Sequence, residues 1–420
     1  FNIMFKRISV IGLGYIGLPT AAVIASNNIH VVGVDINKYA VDTINQGNIH
    51  IVEPGLQELV KSAVSQGYLK AFTEPQKADA FLMAVPTPFK GKNFEADLKY
   101  IESASRALAP LLEKGNLVVL ESTSPVGATE QMAKWLAEER PDLTFPHQMK
   151  NGLKADICIA HCPERVLPGQ VIRELVENDR IIGGLDEHST TSAIELYKLF
   201  VKKGECIATN ARTAEMSKLT ENAFRDVNIA FANELSLICD KQGINVWELI
   251  SLANRHPRVN ILQPGCGVGG HCIAVDPWFI VNQNPELAKL IHQARLVNDY
   301  KPQYVIEKIS QVVVGLRNPK IACLGLAFKP DIDDLRESPA LEITKRLADN
   351  PANRLLVVEP NIDDLPSALK GRNNVKLVSL YEALEQADIV LVLVKHKEFK
   401  GLINKKYTSA TILDFVNAAN

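Results

Sequence analysis

No stretch of this chain approaches the roughly 18 consecutive apolar residues a membrane-spanning helix needs, so a helical membrane protein is not expected. A surplus of charge is missing too. Lys plus Arg number 46 and Asp plus Glu 48, a formal net charge of −2. That balance speaks against bulk nucleic-acid binding and against a polybasic membrane contact. Nor is there a disulfide framework. The seven cysteines in 420 residues form an odd, sparse set that reads as thiols in a reducing cytoplasm, with room for one reactive thiol. The first residue is Phe rather than Met, which reads as a trimmed start, and residues 1–4 are set aside. Lys6-Arg7 ahead of an apolar stretch ending at Ala25-Ser26 copies a signal peptide only superficially, because glycines and a proline interrupt it.

What is present is an ordinary globular composition, 46% hydrophobic and 22% charged, in a chain long enough for two or three domains of roughly 100–200 residues. β-Branched runs predict strands at Ile8–Ile11, His30–Val34, Ala80–Val85, Leu117–Leu120 and Ile157–Ala160. A helical pattern covers Ile16–Ser26, and the alternation implies βαβ units on a parallel sheet. From Thr213 the spacing of Met216, Leu219, Ala223, Val227, Ala230 and Phe231 becomes helical and carries to about Leu252. A second helix is predicted over 285–314. Between them, the Pro- and Gly-rich stretch from His256 to Pro277 reads as a functional loop. The last hundred residues echo the first segment. Lys320 to Gly325 parallels Arg7 to Gly12, Leu355 to Glu359 parallels Val31 to Asp35, and Ala387 to Val394 parallels Ala78 to Val85. The expected fold is therefore α/β, with two Rossmann-like doubly wound domains at 5–212 and 315–420 joined by a long-helix central domain at 213–314.

Gly12-Leu13-Gly14-Tyr15-Ile16-Gly17 fits G-x-G-x-x-G between a predicted strand and a predicted helix, the context a dinucleotide site requires. Gly12 allows the tight turn, Gly14 the approach of a pyrophosphate, and Gly17 close helix packing; the helix N-terminus favours the anion. Asp35, 18 residues beyond Gly17, can bind a ribose 2′-hydroxyl and would repel a 2′-phosphate, so NAD rather than NADP is expected. The loops carrying Thr87 and Thr123 follow the next strands and should line the cofactor. Gly265-Cys266-Gly267-Val268-Gly269-Gly270-His271-Cys272 can wrap a ligand, and Cys272 is a candidate nucleophile. Lys218, Asn222 and Arg225 share one helix face, either as a solvated stripe or as a strip facing an anionic substrate. Cys158, His161 and Cys162 do not have the spacing of a zinc site, and no metal is expected.

Taken together, these motifs make the chain similar to the UDP-glucose/GDP-mannose dehydrogenase family over nearly its whole length. The likeness rests on Gly12 to Pro19, Glu121 to Gly127, Cys162-Pro163-Glu164-Arg165, Lys218 to Asn222, Gly267 to Cys272, Phe328-Lys329-Pro330 and Asp334 to Ser338. Cys162, Arg165-Val166, His271 and the run Asn254 to Asn260 resemble the branch acting on N-acetylhexosamines. The resemblance implies a four-electron oxidation of the C6 alcohol of UDP-N-acetyl-D-mannosamine to the uronate, with UDP-N-acetylglucosamine or UDP-glucose as alternative substrates. It assigns Cys272 a thiohemiacetal and then a thioester, Lys218 and Asp276 proton exchange, Asn222 a hydrogen bond to the tetrahedral oxygen, and Glu164 the hydrolytic water, with Thr123 beside them. It adds Thr129 and Arg336 to the NAD contacts. It assigns Arg165, Val166, Lys218, Asn222, Arg225, His256, Arg258, Gly269, Phe328 and Lys329 to the UDP-sugar. It further implies a cytoplasmic homodimer built on the long helix, with Arg258 reaching the partner's site. A two-electron β-hydroxyacid dehydrogenase would need neither the Cys272 loop nor the C-terminal domain. A non-catalytic nucleotide sensor would have no use for Lys218, Asn222, Cys272 and Asp276 together.

Overall fold

The β-branched runs become the central strands of two parallel sheets in the computed structural model, which describes residues 4–419. The chain divides into two compact units, the first ending at Thr220 and the second beginning at Glu221. The first unit holds β1 (Arg7–Ile11), β2 (His30–Val34), β3 (Leu69–Phe72), β4 (Ala80–Met83), the short pair β5 (Phe89–Lys90) and β6 (Glu95–Ala96), β7 (Leu117–Leu120), β8 (Cys158–His161), β9 (Arg180–Gly184) and β10 (Cys206–Asn210). Its main sheet has the order β10-β9-β8-β7-β4-β1-β2-β3. All its neighbours are parallel except β8 and β9, which pair through Ala160 with Gly184 and His161 with Gly183. The chain leaves β1 toward β2 on one side and β4 on the other. That makes a crevice at the carboxyl ends of β1 and β4, the place where open α/β sheets take their ligands.

Every residue of β4 and β7 is buried, as strands covered on both faces require. Successive residues feed opposite cores: Ala80 and Leu82 pack with Ile8 and Val10, while Phe81 and Met83 pack with Ile11, Val32 and Val34. The period of two thus divides a continuous apolar run between two layers.

The second unit contains β11 (Lys320–Leu324), β12 (Arg354–Val358), β13 (Val375–Leu377), β14 (Ile389–Val392) and β15 (Thr411–Asp414), all parallel, in the order β13-β12-β11-β14-β15. The internal echo is structural. Gly12 N–H donates to the carbonyl of Val34, and Gly325 N–H to that of Val358, each at 2.8 Å. The two glycines have φ of 94° and 98°.

One helix runs from Ala211 to Gln242, 32 residues, or about 48 Å. Gly243 ends it with φ of 70°, and Asn245 caps a separate helix, Val246–Ala253. The sequence pattern predicts one helix to about Leu252, whereas the left-handed backbone at Gly243 divides it in two. The next long helix is Lys289–Val312, with Pro302 inside. It starts later than the predicted 285 because the preceding residues form a turn, with Ala288 N–H donating to Asn284 O at 2.9 Å.

Candidate active site

The glycine turn after β1 explains its own composition. A Cβ on Gly12 would lie 2.6 Å from the carbonyl oxygen of Ala84, and one on Gly17 would lie 1.6 Å from that of Gly12. Nothing lies within 4 Å of the Cβ position of Gly14, so that face of the turn is open to a ligand. The helix Gly17–Ala25 has no acidic residue in its first turn and no side chain capping it; Leu18 N–H already bonds the Gly14 carbonyl, and the positive end of the helix dipole still faces a phosphate. Tyr15 is exposed beside the turn and Ile16 half-buried.

Asp35 ties this turn to β2. Its Oδ2 accepts from Leu13 N–H at 2.9 Å and its Oδ1 from Asn37 N–H at 2.8 Å. Each oxygen keeps a lone pair for a ribose hydroxyl. Thr87 Oγ1 donates to the carbonyl of Thr123 at 2.5 Å, which joins the two predicted cofactor loops beyond β4 and β7. Thr129 is buried and donates through Oγ1 to Glu215 Oε2 at 3.0 Å, while Gly127 and Thr129 N–H bond the same carboxylate. Glu215, not anticipated from the sequence, therefore caps the helix Ala128–Glu139. The open Gly14 face, the uncapped helix start and the spare lone pairs of Asp35 together fit a dinucleotide.

The second unit repeats the strand but not the site. Glu359 stands where Asp35 stands, and its carboxylate accepts from Leu326 N–H, Ala327 N–H, Asn361 N–H, Asn361 Nδ2 and His396 Nε2 at 2.7–3.1 Å. Burial pushes this carboxyl up, but His396, Leu326 and Asn361 outweigh it and hold it down at about 2. No lone pair remains for a ribose.

Lys218 and Asn222 stand one turn apart on the long helix, Lys218 half-buried. Asn222 is buried and donates through Nδ2 to Asp276 Oδ2 at 2.6 Å. Asp276 opens the helix Asp276–Gln283, with Pro277 in its first turn. Its N–H donates to the carbonyl of Cys272 at 2.8 Å, which sets the thiol one turn upstream. Among the seven cysteines only Cys206 and Cys272 are not buried. Burial pushes the Cys266 and Cys323 thiols up to about 12 and Cys162 up to about 11, which removes those three as nucleophiles near neutral pH.

The Cys272 loop is held at both ends by a buried polar network that sequence reasoning missed. Arg295 bonds both oxygens of Asp226 at 2.6 and 2.7 Å and donates to the carbonyl of Ala274 at 3.1 Å. Asn298 bonds Asp226 and accepts from Asn233, whose Oδ1 accepts from Gly265 N–H at 2.9 Å. Between these anchors the loop presses on the segment after β11. A Cβ on Gly269 would sit 2.4 Å from Glu337 O, and Gly270 N–H donates to Arg336 O at 3.1 Å. Gly269, Phe328 and Arg336 are thereby brought together. The Arg336 guanidinium pairs with Asp334 at 2.7 Å, and Lys329 lies 6.0 Å from the Phe328 ring centre. Arg225, His256 and Arg258 are exposed, with Arg258 N–H donating to His256 Nδ1 at 3.3 Å. Glu164 is buried in the first unit, with Arg165 and Val166 half-buried after it.

Residues 6–201, 212–300 and 322–420 match, in that order, the NAD binding, central and UDP binding domains of the UDP-glucose/GDP-mannose dehydrogenases. The chain belongs to the UDP-glucose/GDP-mannose dehydrogenase family. As a member it is an NAD-dependent oxidoreductase acting on a UDP-sugar, and the glycine turn of the first unit lies within its NAD binding domain. The UDP-N-acetyl-D-mannosamine dehydrogenase of Campylobacter jejuni is 68% identical over 405 residues, covering 96% of this chain and 99% of that one. The NDP-N-acetyl-D-galactosaminuronic acid dehydrogenase of Ralstonia nicotianae is 63% identical, covering 98% and 96%. Among solved structures, the UDP-N-acetyl-mannosamine dehydrogenase of Staphylococcus aureus is 40% identical with a TM-score of 0.84, covering 99% of this chain and 95% of that one. No helix among the described residues is long and apolar enough to cross a membrane.

Proposed function

We propose that this dehydrogenase oxidises the C6 alcohol of UDP-N-acetyl-D-mannosamine to the carboxylate through a covalent bond to Cys272. The observation that carries the reading is the buried Asn222–Asp276 hydrogen bond at 2.6 Å, one turn downstream of the half-exposed thiol. A dehydrogenase that stopped at the aldehyde would have no use for that thiol. NAD bound at the glycine turn supplies the hydride acceptor for both oxidations.

The chain's own residues do the rest. Cys272 Sγ adds to the C6 aldehyde and holds the carbon as a thiohemiacetal and, after its oxidation, as a thioester. Asn222 has a second Nδ2 hydrogen beside the one given to Asp276, and it donates this to the tetrahedral oxygen. Lys218 and Asp276 exchange the alcohol proton through a water, and the Lys218 cation stabilises the developing alkoxide. Glu164 activates the water that cleaves the thioester, with Thr123 beside it. Arg165, Val166, Arg225, His256, Gly269, Phe328 and Lys329 receive the nucleotide sugar, and Thr87, Thr129 and Arg336 support NAD. The sugar assignment draws on the mannosamine relatives.

Phe224, Phe231 and Ile238 are 67%, 53% and 45% exposed and recur every seven residues along the long helix. Such a stripe matches the same helix of a second copy, so the chain works as a cytoplasmic homodimer with Arg258 reaching the partner's site. The experiment is NADH released per sugar with UDP-N-acetylmannosamine, UDP-N-acetylglucosamine, UDP-N-acetylgalactosamine and UDP-glucose, each limiting. Two NADH for the mannosamine alone support the reading. Two for another sugar move the substrate, one NADH removes the covalent role of Cys272, and none with any sugar favours a sensor.

A further inference from the structure

Behind Glu164 the first unit buries a charged cluster that the reaction scheme leaves unused. Arg180, the first residue of β9, is 2% exposed. Its Nη1 donates to Glu164 Oε2 at 3.1 Å and its Nε to Cys162 Sγ at 3.4 Å. The guanidinium lies 4.9 Å from the Tyr197 ring centre, and its Nη2 is 4.0 Å from Glu121 Oε1. Tyr197 donates to that same oxygen at 2.5 Å. Two carboxyls from different elements thus face one guanidinium, and only Glu164 is within hydrogen-bond distance. The other Glu164 oxygen accepts from Arg165 N–H at 2.7 Å. One donor on each oxygen fixes the carboxylate plane and leaves a lone pair on each.

A buried arginine is costly without a partner, so its removal should be felt chiefly by the carboxylate it bonds. Arginine cannot give up its proton, so a permanent cation is fixed against the Glu164 carboxyl. Glu121 lies beyond hydrogen-bond distance from Arg180 in a fully buried position. Burial pushes its carboxyl up to about 7, against the pull of Arg180, and the guanidinium's hydrogen bond goes to Glu164 instead.

We infer that Arg180 is a positioning residue for thioester hydrolysis, holding the Glu164 carboxyl in the orientation that takes a proton from the attacking water. The inference rests on the reading of Glu164 as the base for that step. As the water oxygen bonds to C6, one water proton passes to Glu164. The C–S bond breaks and Cys272 leaves as thiolate. The new carboxylic acid releases its remaining proton to solvent, and nothing is oxidised or reduced. Arg180 acts only through Glu164, and the two hydride losses need no group of this cluster.

The test is a kinetic split. Full-length Arg180→Gln is mixed with excess NAD and UDP-N-acetylmannosamine, NADH is followed by stopped flow, and the quenched protein is weighed. The expected result is a normal burst of both hydrides. Acyl adduct then accumulates on Cys272, and steady turnover falls by about tenfold to a hundredfold, with the sugar KM little changed and Arg180→Lys partly restoring the rate. Hydride steps and turnover slowed together, or turnover unchanged, overturn the inference. Glu164→Gln run alongside separates the two claims. Adduct in Glu164→Gln but not in Arg180→Gln defeats the role of Arg180, and adduct in neither defeats the reading of Glu164. Should Arg180→Gln fail to fold, Tyr197→Phe decides. It frees Glu121 to compete for the guanidinium and should accumulate the same adduct, whereas normal hydrolysis in it overturns the inference.

Discussion

Replacing Glu121 by Gln should flatten the pH dependence of the first unit's stability. The side chain is 1% exposed, and its Oε2 has no hydrogen-bond partner among the described residues. Burial raises its carboxyl, Arg180 pulls it down, Glu164 pushes it up, Tyr197 pulls it down, and the outcome is about 7 against an ordinary 4.5. That difference corresponds to a free energy on the order of 3 kcal/mol. The sign follows from proton binding. The folded state holds this proton more tightly than the unfolded chain, so the stabilisation is complete below 4.5 and is lost as pH rises through about 7. Gln carries no titrating proton. The stability of the unsubstituted protein relative to Glu121→Gln should therefore drop by roughly 3 kcal/mol between about pH 4.5 and 8. Urea unfolding of both proteins across that range, followed by tryptophan fluorescence, measures the difference directly. Parallel pH profiles would show that Glu121 does not titrate in this window. A difference that grew with pH would mean that Glu121 is ionised and paired with Arg180 in the folded protein.

Three further perturbations probe other parts of the chain. Gly17→Ala puts a Cβ 1.6 Å from the Gly12 carbonyl, so calorimetric NAD binding should be lost or weakened by at least tenfold; native affinity would show that the turn adjusts. Asn222→Ala removes a donor and leaves Asp276, 3% exposed, without that hydrogen bond. Its kcat should fall by about a hundredfold, and an unchanged kcat would refute the assignment to the tetrahedral oxygen. Asp226→Ala removes two charge-assisted hydrogen bonds from Arg295, 1% exposed, and leaves it, among the described residues, only Asp299 and the Ala274 carbonyl, at a cost of about 3 kcal/mol. Iodoacetamide should then label Cys272 faster than before, and a labelling rate equal to the native one would show that the network does not hold the loop.

The parallel sheets were legible in the sequence because their strands are continuous apolar runs, and the repeat because glycine and acid recur at equivalent strand ends. Gly12, Gly14, Gly17 and Asp35 were legible for a related reason, since each answers a local backbone demand. The groups that hold Cys272 and Glu164 were not. Asp226 and Arg295 lie 69 residues apart, and on their own helices each reads as an ordinary surface charge; only the packing of one helix on another turns both inward. Arg180 opens a strand next to Asp179, where a cation usually faces water. Its strand also runs antiparallel to β8, a reversal that the run of parallel strands before it did not announce. A nucleophile carries its mark in its own loop, whereas a side chain that orients another does so through contacts the linear pattern does not contain. That is why the test of Arg180 reads the behaviour of Glu164 and Cys272 rather than any property of Arg180 itself.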